Sequence, residues 1–466
     1  MRPRIRSQRS KRCDSRSRNQ IRTAKFARQR QPEDFGFRSA FTELLGPQWM
    51  PSIPKRRGRR PRVPLAALLT AVVFHFMNGA GTLAEHFAAL FDDALADSSC
   101  SDRRTRLPWQ VFTDLLQRAL KPLAVARRHP ESFWRGWRLL AMDGTQFSLS
   151  NTAQIKAHKL KAKARRGRAA FAKITTGVLL ELGLHNPVAA AIGHQGHSEW
   201  ELALSLLARL PKKVLLLADR LHGCGAFAAQ ALLACQRVGS HFLIRARTQI
   251  KAKVLRRYKD GSRLVRLPVR KKGQPRVILQ WLELREIRVM VQRPGFRASE
   301  LRLWTTLLNP TAAPARELAE LYARRWEHEL YYRELKHQLR KGPLLQSHTL
   351  GTAAQEIAAL TLASALLARE RARAAAGKVP VLRLSFIKVL ELIRPLWLVF
   401  ALGDDLLSES QKHALTERFY EQARGCLSRP RRQPRSCPRA LRQPVTGWPR
   451  LMKNHSWNGP IHFEPI

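Results

Sequence analysis

Cysteine is sparse and nowhere paired in this sequence. Six are scattered at Cys13, Cys100, Cys224, Cys235, Cys426 and Cys437, with no C-x-x-C among them. That excludes a disulfide framework and a structural zinc knuckle, and it fits a reducing cytoplasm. The apolar run at residues 63–77 falls short of the roughly 20 residues a bilayer span needs and has basic flanks on one side only. Acidic residues are the scarce charge: 34 Asp and Glu stand against 84 Lys and Arg, a formal net charge of +50. No lipidation or amphipathic signal accompanies the basic runs, so an anionic membrane surface is set aside. A polyanion with phosphates to neutralise remains the partner such an excess serves.

The charge is concentrated. Residues 1–33 hold twelve basic and two acidic side chains, and KRRGRRPR at 55–62 holds six basic ones. KAHKLKAKARRGR at 156–168 carries seven, and RPRRQPRSCPRALR at 429–442 carries six. A basic run alone is more often a solvated tail than a reader of nucleic acid. The 156–168 loop differs because its neighbours in sequence place it beside a candidate site.

That site begins in LYARRWEHELYYRELKHQLRK, which is free of Gly and Pro until Gly342. A helix turns about 100° per residue, so Tyr322, Arg325, Glu329 and Lys336, at offsets 0, 3, 7 and 14, fall within roughly 60° of one face. The bland reading is a surface helix whose charges solubilise it. The sharper one is a phenol, a guanidinium, a carboxylate and an ammonium gathered for phosphodiester chemistry. A carboxylate holds a divalent metal and the other groups hold phosphate oxygens.

One carboxylate does not organise a pair of divalent ions about 3.5–4 Å apart, so further acids are needed. Magnesium or manganese suits such oxygen ligands. Asp143, in WRLLAMDGTQFSLS, follows an apolar strand-like run and precedes Gly144-Thr145. Asp219 ends the buried-strand pattern of KKVLLLAD. Either aspartate alone is as well explained as a cap or turn former. The order Asp, Asp, Glu weakens that explanation. His194 and His197, in HQGHSEW, read as a strand-end turn rather than a metal pair.

The Tyr-x2-Arg-x3-Glu-x6-Lys spacing, with Arg325-Trp326 and the run Tyr332-Arg333-Glu334-Leu335-Lys336, resembles the YREK signature of bacterial insertion-sequence DDE transposases (the insertion-sequence-four family). The segments between the acids read as three strands, then helix, strand, helix and strand, and the order resembles the α/β ribonuclease-H-like fold of that family. Short apolar runs broken by KDGSR, KKGQP and RPGF mark a β-rich insertion at about 251–299, between Asp219 and Glu329. The resemblance implies Asp143, Asp219 and Glu329 as catalytic ligands of two Mg2+ (or Mn2+) ions, with Tyr322, Arg325 and Lys336 on backbone phosphates. It also implies a hairpin intermediate with a flipped base, for which Trp304 is a stacking candidate. Arg245 and Arg247, on one face of HFLIRAR, are further DNA-contact candidates. The chain departs from the family at Ser150-Asn151-Thr152 and at Leu221-His222-Gly223, neither of which removes an acid.

The expected organisation is a basic disordered tail (1–33), a helical DNA-binding domain (34–130), the catalytic domain (131–345), a C-terminal helical region (346–425) and a Pro/Arg-rich tail (426–466). The helical 34–130 region reads equally well as a packing or dimerisation unit. The expected activity is cut-and-paste transposition on double-stranded DNA, at terminal inverted repeats and target. A homodimer in a synaptic complex, cytoplasmic and associated with the nucleoid, would carry it out. A ribonuclease-H-type nuclease and a DNA-binding relic of a transposase are the alternatives.

Overall fold

The computed structural model describes residues 36–46, 49, 63–158, 163–164, 167–168, 170–271, 273–292, 299–340, 342–403, 405–428 and 462–465. The basic runs at 1–33, 55–62 and 429–442, and residues 159–162 and 165–166 of the 156–168 loop, lie outside them.

The chain opens with helices α1 (Phe37–Leu45), α2 (Leu65–Asn78), α3 (Leu83–Phe91), α4 (Asp97–Thr105) and α5 (Trp109–Ala119). α2 stops where Gly79 adopts φ 67, and α3 starts on a capping box in which Thr82 and Glu85 satisfy each other's backbone N–H groups. The chain then enters β1 (Phe133–Trp134), β2 (Trp137–Ser148), the short α6 (Ala153–Ala157), the two-residue β3 (Lys163–Ala164) and β4 (Gly167–Arg168), β5 (Lys173–Glu181) and β6 (Asn186–Ile192). Next come α7 (Glu199–Leu207), β7 (Val214–Ala218), α8 (Gly225–Arg237) and β8 (His241–Arg245).

The expected insertion follows as β9 (Lys253–Arg257), β10 (Arg263–Lys271), β11 (Gln274–Gln292) and β12 (Ser299–Thr305). It is no separate lobe. The strand order is β6-β5-β2-β7-β8-β12-β11-β10-β9, so the added strands continue the same eleven-stranded sheet past β8. β2, β5 and β6 are antiparallel, whereas β7 lies parallel to β2 and β8 parallel to β7. β7 reads VLLLA and is buried at every position, as expected of a central parallel strand covered on both faces.

Along β2, Leu139 and Ala141 join one apolar core and Leu140 and Met142 the other, the period-2 alternation of a strand. α7 and α8 cover the second face together with Val265, Leu267, Leu282 and Leu284 of the insertion. The first face carries α9 (Ala315–Ala323), α10 (Trp326–Arg333), α11 (Leu350–Ala375), α12 (Phe386–Leu402) and α13 (Glu409–Gly425). β13 (His462–Pro465) pairs with β11. Helices α1–α3 and α5 share this first core with α11 and α12, so the N-terminal helices pack into the body of the protein. α11 is long and apolar enough to cross a bilayer, but 94% of its most apolar window is buried inside the fold. α2 and α3 pass the same test only as a pair bent by 118°. All-round apolarity is what a central core helix requires.

Two buried charged clusters tie these layers together. Glu181 of β5 accepts backbone N–H bonds from Leu123 (2.8 Å) and Ala124 (3.1 Å), a side-chain bond from Asn186 and an ion pair from Arg138. Arg285 of β11 pairs with Asp260 and donates to the Ala313 carbonyl, while Asp260 accepts the Ala315 N–H at 3.0 Å. The insertion thereby anchors the start of α9.

Candidate active site

The segment expected as one helix is three. α9 ends at Ala323, a tight turn spans Arg324–Arg325, α10 resumes at Trp326, and a π-helical turn covers Glu334–Leu339. The Arg325 N–H reaches back only to Tyr322 (3.0 Å) and the His328 N–H only to Arg325 (3.0 Å), so the helix tightens where Arg325 sits. A π-turn shifts side chains around the axis and is a frequent mark of functional positions. Here it carries Lys336.

α10 lies across the first face of the sheet, held there by buried polar contacts. His328, fully buried, meets the Val178 carbonyl at 3.0 Å, and burial holds its pKa down at about 4. Glu334 meets His185 at 2.7 Å and lies 3.6 Å from Arg371 of α11. Tyr332 donates to the Asp143 carbonyl at 2.8 Å.

These contacts set the signature face over the middle of β2 and the end of β7, where the parallel pairing stops at Met142 and Ala218 and Asp143 and Asp219 follow. Arg325 bridges two of the acids. One guanidinium nitrogen donates to Asp143 Oδ2 at 3.0 Å and the other to Glu329 Oε1 at 2.6 Å. Asp219 accepts the Leu221 N–H (2.9 Å) and pairs through Oδ1 with His222 Nδ1 (2.8 Å). Burial, then repulsion from Asp219, pushes the Asp143 carboxyl up to about 6 against the pull of Arg325. Burial also pushes Asp219 up, but the hydrogen bond and charge of His222, with Leu221 and Arg325, outweigh it and leave that carboxyl below its usual range.

Lys336 donates to Thr145 Oγ1 and, at 2.8 Å, to the Gln146 carbonyl; burial, with Arg340 and Lys173 nearby, lowers its pKa to about 8. Tyr322 is buried and donates to the Ala218 carbonyl at 3.2 Å, one residue before Asp219. In this conformation it braces the end of β7 and does not face solvent. Trp304 differs from the stacking role expected of it. It is fully buried with its indole N–H 3.1 Å from Glu286, so it offers no face to a base. Arg245 ends β8, half-buried. Arg247, just beyond, donates to the Arg220 (3.2 Å) and Leu221 carbonyls and so latches the loop after Asp219. His194 stacks on Trp109 at 4.8 Å, with His197 5.6 Å away, in the turn between β6 and α7.

Two residues near the acids escaped the sequence reading. His222 is one, and its spacing three residues after Asp219 was the available signal. Glu199 is the other. Ser198 and Glu201 form a capping box that starts α7 and leaves Glu199 in its first turn. The Gly144 N–H donates to Asp143 Oδ1 at 2.8 Å, and burial, followed by the charge of Asp143, raises the Glu199 pKa. A Cβ on Gly144 would lie 2.4 Å from the Glu199 carboxyl carbon, so only glycine admits it.

The donor set is right for a hard divalent cation: carboxylates within β2, just past β7 and on a helix, more negative charge than one guanidinium balances. Among the described residues no three acidic, His or Cys side chains converge tightly enough to hold an ion, and Arg325 bonds both Asp143 and Glu329. The arrangement can take a cation there once that guanidinium withdraws.

Comparison with known proteins follows the same lines. The family model described as Transposase DDE domain matches residues 134–366, a span that contains Asp143, Asp219 and Glu329. The Escherichia coli (strain K12) transposase InsG for insertion sequence element IS4 is 26% identical over 253 residues, 54% of this chain and 55% of that protein. The chain thus spans about half the length of this curated relative. A cryo-EM structure of the piggyBac transposase synaptic complex with hairpin DNA aligns over 83% of this chain and 81% of that one, at 9% identity and a TM-score of 0.41.

Proposed function

Because the chain belongs to the DDE transposase family, a family of nucleic-acid-cleaving and transesterifying enzymes, we propose that it cuts transposon-end DNA and joins it to target DNA by a cut-and-paste route. The observation that carries this reading is the meeting of Asp143 and Glu329 on one guanidinium beside Asp219. The order β6-β5-β2-β7-β8, antiparallel and then parallel, supports a ribonuclease-H-like core.

Asp143, Asp219 and Glu329 would hold two Mg2+ or Mn2+ ions. When bound, such ions lower the pKa of a water nucleophile and stabilise charge on the attacking and leaving oxygens of an in-line displacement. Water oxygen bonds to the phosphorus at the element end and the P–O3′ bond breaks, which frees a 3′-hydroxyl. That hydroxyl then forms the new bond to a target phosphorus as the target's own P–O3′ bond breaks. Before that joining, attack of the same hydroxyl on the opposite strand, with loss of the flanking strand's O3′, would give the hairpin intermediate, and a second water would reopen it to free the 3′-hydroxyl again.

The protein's own groups set the geometry. Arg325, leaving Asp143 as the site loads, would take a phosphate oxygen with a bidentate fork. Lys336, already donating to Thr145 and the Gln146 carbonyl, would donate to a phosphate oxygen as an ammonium. Tyr322 acts through the Ala218 carbonyl to hold Asp219 in place. Arg245 and Arg247 flank the same sheet end as further contacts for double-stranded DNA at terminal inverted repeats and target.

The N-terminal helices, packed into the core, would present the element end to this site, and the β-rich insertion would extend the DNA path along the sheet. We assign the active form to a homodimer in a synaptic complex on the nucleoid. The purified protein, Mg2+ and a labelled duplex carrying the element's own end should give boundary cleavage and joining to a second duplex, both lost in E329Q. Cleavage without joining would point to a nuclease instead, and binding without cleavage to a DNA-binding relic.

A further inference from the structure

Glu329 reaches Asp143, in the middle of β2, through Arg325 from the face covered by α10. Gly144 follows Asp143 on β2 and, by strand alternation, presents its missing side chain to the opposite face, where Leu140 and Met142 meet α7. The Glu199 carboxylate fills that vacancy, 2.4–2.6 Å from the place a Cβ would take. Asp143 accepts the Gly144 N–H at 2.8 Å, and the Glu199 carboxylate lies against the same glycine. No guanidinium or ammonium bonds to Glu199 among the described contacts, since Arg325 serves Asp143 and Glu329. His222, 1% exposed, spends Nδ1 on Asp219 and leaves Nε2 buried with no hydrogen-bond partner.

Carboxylates gathered in a half-buried place without enough positive charge are costly unless a cation joins them. We infer that Glu199 is a fourth carboxylate of the divalent-ion site, reaching it over Gly144 from the face opposite Glu329. The inference rests on the metal-dependent reading above. It also explains why residue 144 is glycine: any Cβ there would expel the carboxylate.

The test is Mn2+ binding to the full chain, followed by the electron paramagnetic resonance of the free ion, in wild type, E199Q, G144A and D219N. Glu199→Gln keeps shape and removes charge; Gly144→Ala keeps the charge and displaces it. Both are expected to weaken Mn2+ binding tenfold or more, and D219N to abolish it. The melting temperature of metal-free E199Q should equal or exceed that of wild type. A helix-starting role alone would instead lower that temperature and leave Mn2+ affinity unchanged. Unchanged affinity in E199Q and G144A, with loss in D219N, overturns the inference and leaves the metal-dependent reading intact. Failure of the wild type to bind Mn2+ at millimolar concentration overturns both.

Discussion

Replacing Arg325 by glutamine should separate a structural salt bridge from a place-holder for a cation. The guanidinium joins Asp143 and Glu329 at 3.0 Å and 2.6 Å, with side-chain exposures of 17% for Arg325, 16% for Asp143 and 38% for Glu329. Removing one partner of a buried pair costs about 3–5 kcal/mol. The Glu329 half is exposed enough to contribute no more than about 1 kcal/mol. Asp143 can escape part of the penalty by protonation, since its carboxyl already sits at about 6. At pH 7.5 without metal, R325Q should therefore lose about 3 kcal/mol, a few degrees of melting temperature in a chain of this length. Mn2+ stabilises the folded state by RT ln(1 + [Mn2+]/Kd), and in the wild type that Kd includes the cost of displacing Arg325. In R325Q the competitor is gone, so Mn2+ should bind about tenfold tighter and recover about 1.4 kcal/mol of the loss. Differential scanning fluorimetry across a Mn2+ series reads both quantities. A deficit that is the same at every Mn2+ concentration would refute the place-holder argument, and the guanidinium would then be an ordinary strut.

Three further outcomes follow from individual contacts. Lys336 is harder to charge in the fold than in the unfolded chain, so its unfavourable contribution is present in full below pH 8 and vanishes as pH rises toward 10.5. Compared with K336M by denaturant unfolding, wild type should gain about 1–2 kcal/mol between pH 7 and pH 10, after discounting for partial exposure; a flat difference would contradict the depressed pKa. Y322F leaves the Ala218 carbonyl without its donor and should cost about 1–2 kcal/mol, together with a loss of cleavage at unchanged DNA affinity; weaker DNA binding would instead mark a direct phosphate contact. W304F removes a buried indole bonded to Glu286 and should destabilise by about 1–3 kcal/mol. It should leave hairpin formation by the folded fraction at the wild-type rate, and a selective loss of hairpin would return Trp304 to base stacking.

Local patterns carried much of the architecture because they are local. Strand alternation around Asp143, the unbroken VLLLA before Asp219 and the capping box at Ser198 are decided within a few residues. The Tyr322-Arg325-Glu329-Lys336 spacing and the excess of positive charge are likewise properties of the chain itself, and they point to the family without coordinates. What the tertiary structure alone decided depends on partners far apart in sequence. Periodicity drew a continuous helix; contacts from β5, α11 and β2 instead left a tight turn at Arg325 and a π-turn under Lys336. Tyr322 points at Ala218, and Arg325 at Asp143, because β7 ends, and its pairing with β2 stops, beneath that face. An aromatic at position 304 can stack or fill a core, and only the Glu286 partner and total burial choose between them. Glu199 reads as a helix-starting acid until the sheet brings the one residue without a side chain, Gly144, under its carboxylate.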